Sequence, residues 1–400
     1  MAGMLEGIKV LSMGVVIAGP AASAILADWG ADVIKVEPLT GEMFRGTSRA
    51  QGVATGPISS LIQVFNRGTR GLAIDLAKEP GRDAFYRLVK EADVFISNYE
   101  PAAVRKLKLD YASLSQVNPR LIHAVISGYG SEGPDRDEPG FDFTAGWARS
   151  GLMHLITEPG CPPATQRAGT IDTAAGTHLV AGILAALLNR DKTGEGQELE
   201  VSLYHTGVWA LASDVQATLF GREPIPNDRT KARNPIWNSY YTKDGRWIWL
   251  GMLQPQNYWP AFCLAIKMPE LENDPRFDTQ DTRGENRAEL IRVIDEVIAS
   301  KTLEEWEKIF RENKVLYGRS QTPVEVTTDP QALANGFFTE VIHPEAGEIK
   351  ILATPVKFHQ KPALVKTTAP EIGQHTEEIL LEAGYNWDDI SRLKEQGVIL

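Results

Sequence analysis

The first third of the chain alternates short apolar runs with amphipathic stretches. "IKVLSMG", "DVIKVE", "GLAIDL", "DVFISNY" and "LIHAVISGYG" have the length and β-branched content that predict buried strands. Between them, "PAASAILADWG" predicts a helix ending at Gly30 and "EPGRDAFYRLVKEA" a helix with Pro80 in its first turn. "PAAVRKL" predicts the opening of another helix. Strand–helix alternation at this spacing predicts a parallel sheet with helical crossovers. Ligands on such sheets collect at the carboxyl ends of the strands. Those ends carry Met13 to Gly19, Glu37, Asn98–Tyr99 and Ser127 to Gly130.

The pattern then changes. "DTAAGTHLVAGILAALLNRDKTGEGQ" predicts a long buried helix closed by a Gly-rich turn, and "ELEVSLY" a strand after it. From about residue 225 the chain becomes rich in Trp, Tyr, Asn and Pro, and "YYTKDGRWIWLGM" predicts a hairpin around Asp244–Gly245. Helical patterns follow near 258–266, 284–299 and 303–313. "ILATPVKF", "TEEILLEAGY" and "WDDISRLKEQGV" return to strand and helix patterns that can rejoin the first part. The expected division is a large domain over 1–215, a smaller one over 225–325, and a C-terminal part, 335–400, that completes the large domain.

Composition narrows the function classes. With 43% apolar and 23% charged residues the chain reads as an ordinary soluble globular protein. A net charge of -11 argues against a nucleic-acid backbone binder, although a few local Arg and Lys can still hold a small anion. Cys161 and Cys263 are too few and too far apart for a disulfide framework or a metal cluster, which fits a reducing compartment. "MAGMLEGIKVLSMG" lacks the basic and apolar regions of a signal peptide, and "LVAGILAALL" is too short to span a bilayer. A cytoplasmic location with no membrane or nucleic-acid partner is expected.

Few motifs carry chemistry. Glu37 at the end of the second predicted strand mimics the ribose-binding acid of a dinucleotide unit. The turn "GVVIAGPAAS" lacks the G-x-G-x-x-G spacing, so a nicotinamide-dependent oxidoreductase is the weaker alternative. His178 and His205 read best as structural histidines, no spacing resembles a metal site, and no G-x-S-x-G elbow is present. "PGFDFTAGWARSG" is different. Asp142 between Phe141 and Phe143 is either the cap of a helix begun by "FTAGWARSGL" or a carboxylate desolvated for nucleophilic work, and the residues alone leave both open.

An ordered set of segments resembles the family III CoA-transferases. It includes "GADVIKVEP", "FNRGTRGLAIDL", "SNYEPAAVRKL", "NPRLIHAVISGYGSEGP", "PGFDFTAGWARSGLM" and "GILAALLNRDKTGEGQELEVSL". "TLEEWEKIF", "TDPQALANGFF" and "GQHTEEIL" extend it through the second half. The resemblance implies an α/β fold with a Rossmann-like large domain formed by both chain ends, a smaller α/β domain, and an interlocked homodimer. It places the family's acyl-carrying aspartate on Asp142, which would attack the donor thioester. It places the contacts to coenzyme A on Val16, Ile17, Ala18, Arg70, Leu72, Asn98, Tyr99, Ala103 and Lys106, with Arg70 and Lys106 as phosphate partners. It implies an acyl-CoA and a small carboxylic acid as substrates, without metal or redox cofactor. The related 2-methylacyl-CoA racemases place a histidine where Phe141 stands; Asp172, the position of their other acid, is also an aspartate in transferases, so Phe141 favours transfer. "GYGSEGPDRDEPGFDFTAGWARSG" and "RNPIWNSYYTKDG" look most like the branch acting on 2-hydroxy acids and 2-enoyl-CoA partners, as in amino-acid fermentation. A silent subunit of a hetero-oligomeric transferase is the remaining reading, which the presence of Asp142 disfavours.

Overall fold

The computed structural model describes residues 3–45, 56, 58–362 and 365–400, and divides into two compact units. The larger unit comprises 1–154, 164–223 and 330–400. Its centre is a six-stranded sheet of β1 (Lys9–Met13), β2 (Asp32–Glu37), β3 (Arg70–Ala73), β4 (Val94–Ser97), β5 (Ile122–Ser127) and β6 (Gln197–Ser202). The spatial order is β3-β2-β1-β4-β5-β6 and every pairing is parallel. The order reverses direction between β1 and β4, the place where doubly wound sheets open a crevice. β4, with the sequence VFIS, is buried throughout, as a strand covered on both faces must be.

Helices α1 (Ala18–Asp28), α2 (Ser60–Asn66), α3 (Glu79–Glu91), α4 (Pro101–Lys106) and α5 (Tyr111–Val117) connect these strands. Pro80 and Pro101 sit in the first turns of α3 and α4, where a missing N–H costs nothing. A wide seven-residue π-type turn, Asp142–Ala148, and the short α6 (Leu152–Ile156) come next. The 24-residue α7 (Thr170–Thr193) starts and ends on left-handed glycines, Gly169 and Gly194. Among the described residues α7 is the one helix long and apolar enough to cross a membrane, and half of its apolar stretch is buried in this fold. It packs on α1, and Gly176 is the point of closest approach: a Cβ there would lie 2.8 Å from the Ala18 carbonyl and 3.0 Å from the Ala21 Cβ. Helices α8 (Leu203–Ala210) and α9 (Ala212–Leu219) follow β6.

The smaller unit, 155–163 and 224–329, has its own core of Tyr240, Trp259, Phe262, Ile294, Trp306 and Phe310, among others. Its antiparallel sheet joins β7 (Trp237–Tyr241), β8 (Trp247–Gly251) and β9 (Tyr317–Arg319). The predicted hairpin is β7–β8, turning at Gly245 with φ 75°. Helices α10 (Pro255–Ala265), α11 (Gln280–Glu285), α12 (Arg287–Ile298), α13 (Leu303–Glu312) and α14 (Pro323–Thr328) complete it. Thr302 and Glu305 form a reciprocal capping box at the start of α13.

The rest of the chain belongs to the larger unit: α15 (Pro330–Ala334), the hairpin β10 (Phe338–His343) with β11 (Gly347–Leu352), then α16 (Thr376–Glu382) and α17 (Trp387–Glu395). Ile379, Leu380, Ile390, Leu393, Val398 and Ile399 join the core under β3, and Ile399 bridges to Ile74.

Candidate active site

A cavity of about 380 Å³ lies at the carboxyl ends of β1, β4 and β5, at the switch point. Five residues expected to contact coenzyme A line it: Val16, Ala18, Asn98, Tyr99 and Ala103. The Asn98 side chain holds the loop after β1 by accepting from the Val15 N–H at 2.8 Å and donating to the Val15 carbonyl at 2.9 Å. The Val16 N–H donates to Glu42 Oε2 at 2.7 Å, and Lys35 Nζ donates to the other Glu42 oxygen at 3.0 Å and to the Gly14 carbonyl at 3.2 Å. This buried pair fixes Val16 at φ 65°, a left-handed conformation that a β-branched residue adopts only under constraint. The reversal turns Ile17 away from the cavity: it is 1% exposed and packs with Phe44, Leu61 and Ile62. Burial, with the Glu42 and Glu37 charges nearby, pushes the Tyr99 hydroxyl up to about 12.

Three expected contacts lie elsewhere. Arg70 opens β3, at the opposite end of the strands from the cavity, and its guanidinium is occupied by Asp32 at 2.6 Å, Glu382 at 2.9 Å and Glu378 at 3.2 Å. Leu72 is fully buried in the core under β3. Lys106 is exposed in the last turn of α4 and does not line the cavity. Among the described residues, the cation that lines it is Arg136, in the turn "GPDRDEPGFD" just ahead of Asp142, with Nε 3.2 Å from Asp137. Its place six residues before Asp142 was the available sequence signal.

The Asp142 carboxylate is 5% exposed and is a cap, but not of the helix its own sequence suggested. Residues 142–148 form the π-type turn, and the carboxylate instead reaches the N-terminus of α7. Oδ2 accepts from the Gly169 N–H at 2.8 Å; Oδ1 accepts from Ile171 at 2.8 Å and from Asp172 at 3.2 Å. These donors and the positive end of the α7 dipole stabilise negative charge on Asp142. Gln166 Nε2 donates to the Asp142 carbonyl at 3.1 Å, and a Cβ on Gly207 would fall 2.1 Å from the Gly146 carbonyl, so α8 presses directly on this turn. Asp142 does not itself line the cavity, but its neighbours Phe141, 54% exposed, and Asp172, 5% exposed, both do. Burial first, and the Asp142 charge second, push the Asp172 carboxyl up to about 7.

Glu37 is fully engaged: Arg45 grips it bidentately at 2.8 and 2.7 Å and the Glu42 N–H donates to it at 3.1 Å. With Arg45 across both oxygens and 2% exposure, Glu37 is poorly placed to accept from a ribose, which weakens the dinucleotide reading. His178 and His205 line a separate cavity of about 660 Å³, with His178 Nδ1 2.8 Å from the Ala174 carbonyl. No cluster of three His, Cys, Asp or Glu suited to a metal ion occurs among the described residues.

The sequence profile of CoA-transferase family III matches residues 5–376. The chain is 33% identical over 399 residues to the (R)-2-hydroxy-4-methylpentanoate CoA-transferase of Clostridioides difficile, covering 99% of each. It is 31% identical over 404 residues to the cinnamoyl-CoA:phenyllactate CoA-transferase of Clostridium sporogenes, covering 99% of this chain and 97% of the relative. A solved CAIB/BAIF family protein from Brucella suis is 28% identical and superposes with a TM-score of 0.84 over 96% of this chain and 100% of its own. The chain belongs to CoA-transferase family III, transferases whose substrates are CoA thioesters and carboxylic acids.

Proposed function

We propose that the protein moves CoA from an acyl-CoA to a free carboxylic acid through a covalent intermediate on Asp142. Asp142 attacks the thioester carbonyl, its oxygen bonds to the acyl carbon and the C–S bond breaks, giving a mixed anhydride and free CoA. CoA then attacks the Asp142 carbonyl of the anhydride, releasing the donor's acid and leaving an aspartyl-CoA thioester. The acceptor carboxylate attacks that thioester, and a last return of CoA delivers the acceptor as its thioester and restores Asp142. The observation that carries this reading is a buried carboxylate on three N–H donors beside a cavity at the sheet's switch point. Those N–H groups are also oxyanion donors when the carbonyl of Asp142 is itself attacked. Burial keeps water from two species that hydrolysis would destroy.

The acyl pair we infer is a 2-hydroxy acid with a 2-enoyl- or 2-hydroxyacyl-CoA. The two relatives named for such substrates support it, as does an exposed Phe141 on the cavity wall, an apolar surface for a branched or aromatic acyl group. An interlocked homodimer is the proposed assembly, in keeping with the exposed Trp209, Leu219 and Phe220 on and just after α8 and α9.

The test is the intact mass of the protein after mixing with isocaprenoyl-, cinnamoyl- and butyryl-CoA and quenching with borohydride. A reduced, mass-shifted peptide containing Asp142, absent from Asp142→Ala, is expected, strongest with the first two thioesters. No adduct from any thioester, or an adduct on another residue, overturns the assignment.

A further inference from the structure

Asp172 is the group the scheme above leaves unused. It is a buried carboxyl in the first turn of α7, it lines the cavity, and its side-chain oxygens have no hydrogen-bond or ion-pair partner among the described residues. A carboxyl that faces a cavity with no protein partner is free to act on whatever the cavity binds. Its nearest charged neighbour is Asp142, whose Oδ1 accepts from the Asp172 N–H at 3.2 Å. The other titratable or charged groups on the cavity wall are Glu42 after β2, Tyr99 and Glu100 after β4, and Arg136 and Glu138 ahead of Phe141. Glu42 is neutralised by Lys35, and Arg136 lies against Asp137. None of them is hydrogen-bonded to Asp172.

We propose that Asp172 is a second catalytic residue of the transfer, giving its proton to the CoA sulfur as Asp142 is acylated and taking it back each time CoA returns. This rests on Asp142 as the acyl carrier. Before the reaction Asp142 is a carboxylate and Asp172 a neutral acid. When the Asp142 oxygen bonds to the acyl carbon, the C–S electron pair leaves on sulfur and the Asp172 proton moves to it. The products are a neutral anhydride, an Asp172 carboxylate and a CoA thiol. On return, the Asp172 carboxylate removes the thiol proton while sulfur attacks the Asp142 carbonyl, and the donor acid departs as a carboxylate. Each chemical step conserves the single negative charge, so the dry cavity never has to hold two anions at once.

The coupling follows from electrostatics. Burial and the Asp142 charge are the two causes that hold the proton on Asp172, and acylation removes the second of them. Asp172 therefore becomes a stronger acid at the step that generates a thiolate. A thiol holds its proton at about 8.5 in water, so transfer from a carboxyl near 7 runs downhill.

Rapid-quench measurement of adduct formation on Asp142 decides it, using isocaprenoyl-CoA and, as a second donor, the isocaprenoyl thioester of thiophenol, whose thiolate needs no proton to leave. Asp172→Asn keeps the shape but has no proton to give. It is expected to slow acylation from the CoA thioester by about 100-fold or more, the usual scale of general acid catalysis. Acylation from the thiophenol thioester should match wild type. The wild-type rate with the CoA thioester should fall as pH rises through about 7, and the Asn variant's should not. Asp172→Glu, which still carries a proton, should recover part of the loss. Equal slowing with both donors, or no slowing with either, overturns the role of Asp172. Should Asp172→Asn fail to fold, the wild-type pH profile and the activity of Asp172→Glu decide on the same terms. Failure of wild type to form any adduct on Asp142 instead removes the reading beneath it.

Discussion

Replacing Asp172 by Asn should make the protein more stable as well as slower, and the gain should depend on pH. The folded Asp172 carboxyl releases its proton near 7, whereas in an unfolded chain it does so near its usual 3.8. The folded state therefore holds a proton that the unfolded state has lost, and stability falls as pH rises between those values, then levels off above 7. At about 1.4 kcal/mol per pH unit the full interval corresponds to about 4 kcal/mol. Between pH 5 and pH 7 alone it comes to about 2 kcal/mol, because the folded group is half ionised at pH 7. Asn does not titrate, so the variant lacks this loss. Placing a buried amide without partners costs about 1–3 kcal/mol, but that cost is the same at every pH. Carboxylates remote from Asp172 titrate alike in both proteins and cancel in the difference. The stability of Asp172→Asn relative to wild type should thus rise by about 3 kcal/mol from pH 5 to pH 8. Urea denaturation of both proteins at several pH values, followed by tryptophan fluorescence, reads this directly. Parallel pH profiles for the two proteins would show that Asp172 ionises normally and would refute the argument. A stabilising substitution that removes activity is also the expected mark of a group placed for chemistry rather than for folding.

Three further predictions concern the packing. Val16→Gly relieves a left-handed β-branched residue, worth about 1–3 kcal/mol, against about 0.5–1 kcal/mol for the entropy of glycine, so its denaturation midpoint should rise slightly. Glu42→Ala strands a buried Lys35 and should cost about 3–5 kcal/mol and raise the Kd for CoA by isothermal titration; an unchanged Kd would separate the cavity loop from CoA binding. Gly176→Ala forces a methyl against the Ala18 carbonyl, so a loss of about 1–3 kcal/mol by denaturation is expected, and a wild-type midpoint would mean that the crossing of α1 and α7 can relax.

The sheet was legible because its strands are continuous apolar runs, and a run such as Val94–Ser97 leaves few alternatives to a doubly covered strand. The π-type turn at Asp142–Ala148 was not legible. Its sequence is compatible with a helix, and the close approach of Gly207 on α8 to the Gly146 carbonyl, some sixty residues later in the chain, is not written in the local pattern.

Charge was where sequence reasoning was weakest, because a sequence gives the presence of a charged side chain but not whether it is already spent. Arg70 was expected at a phosphate, yet Glu378 and Glu382, more than 300 residues away in the chain, consume it. Asp142 was weighed as a local cap against a nucleophile, and the fold makes the alternatives compatible: it caps α7 from 27 to 30 residues upstream, and that cap gives a buried carboxylate three N–H donors. Asp172 entered the sequence reading only as an aspartate that racemases and transferases share, and it lies in a helix first turn, a position where negative charge is normally welcome. Only the fold reveals that the Asp142 carboxylate has already taken the donors at that helix end. The second acid is left beside it with burial, a like charge and no partner, which favours keeping the proton that the transfer needs.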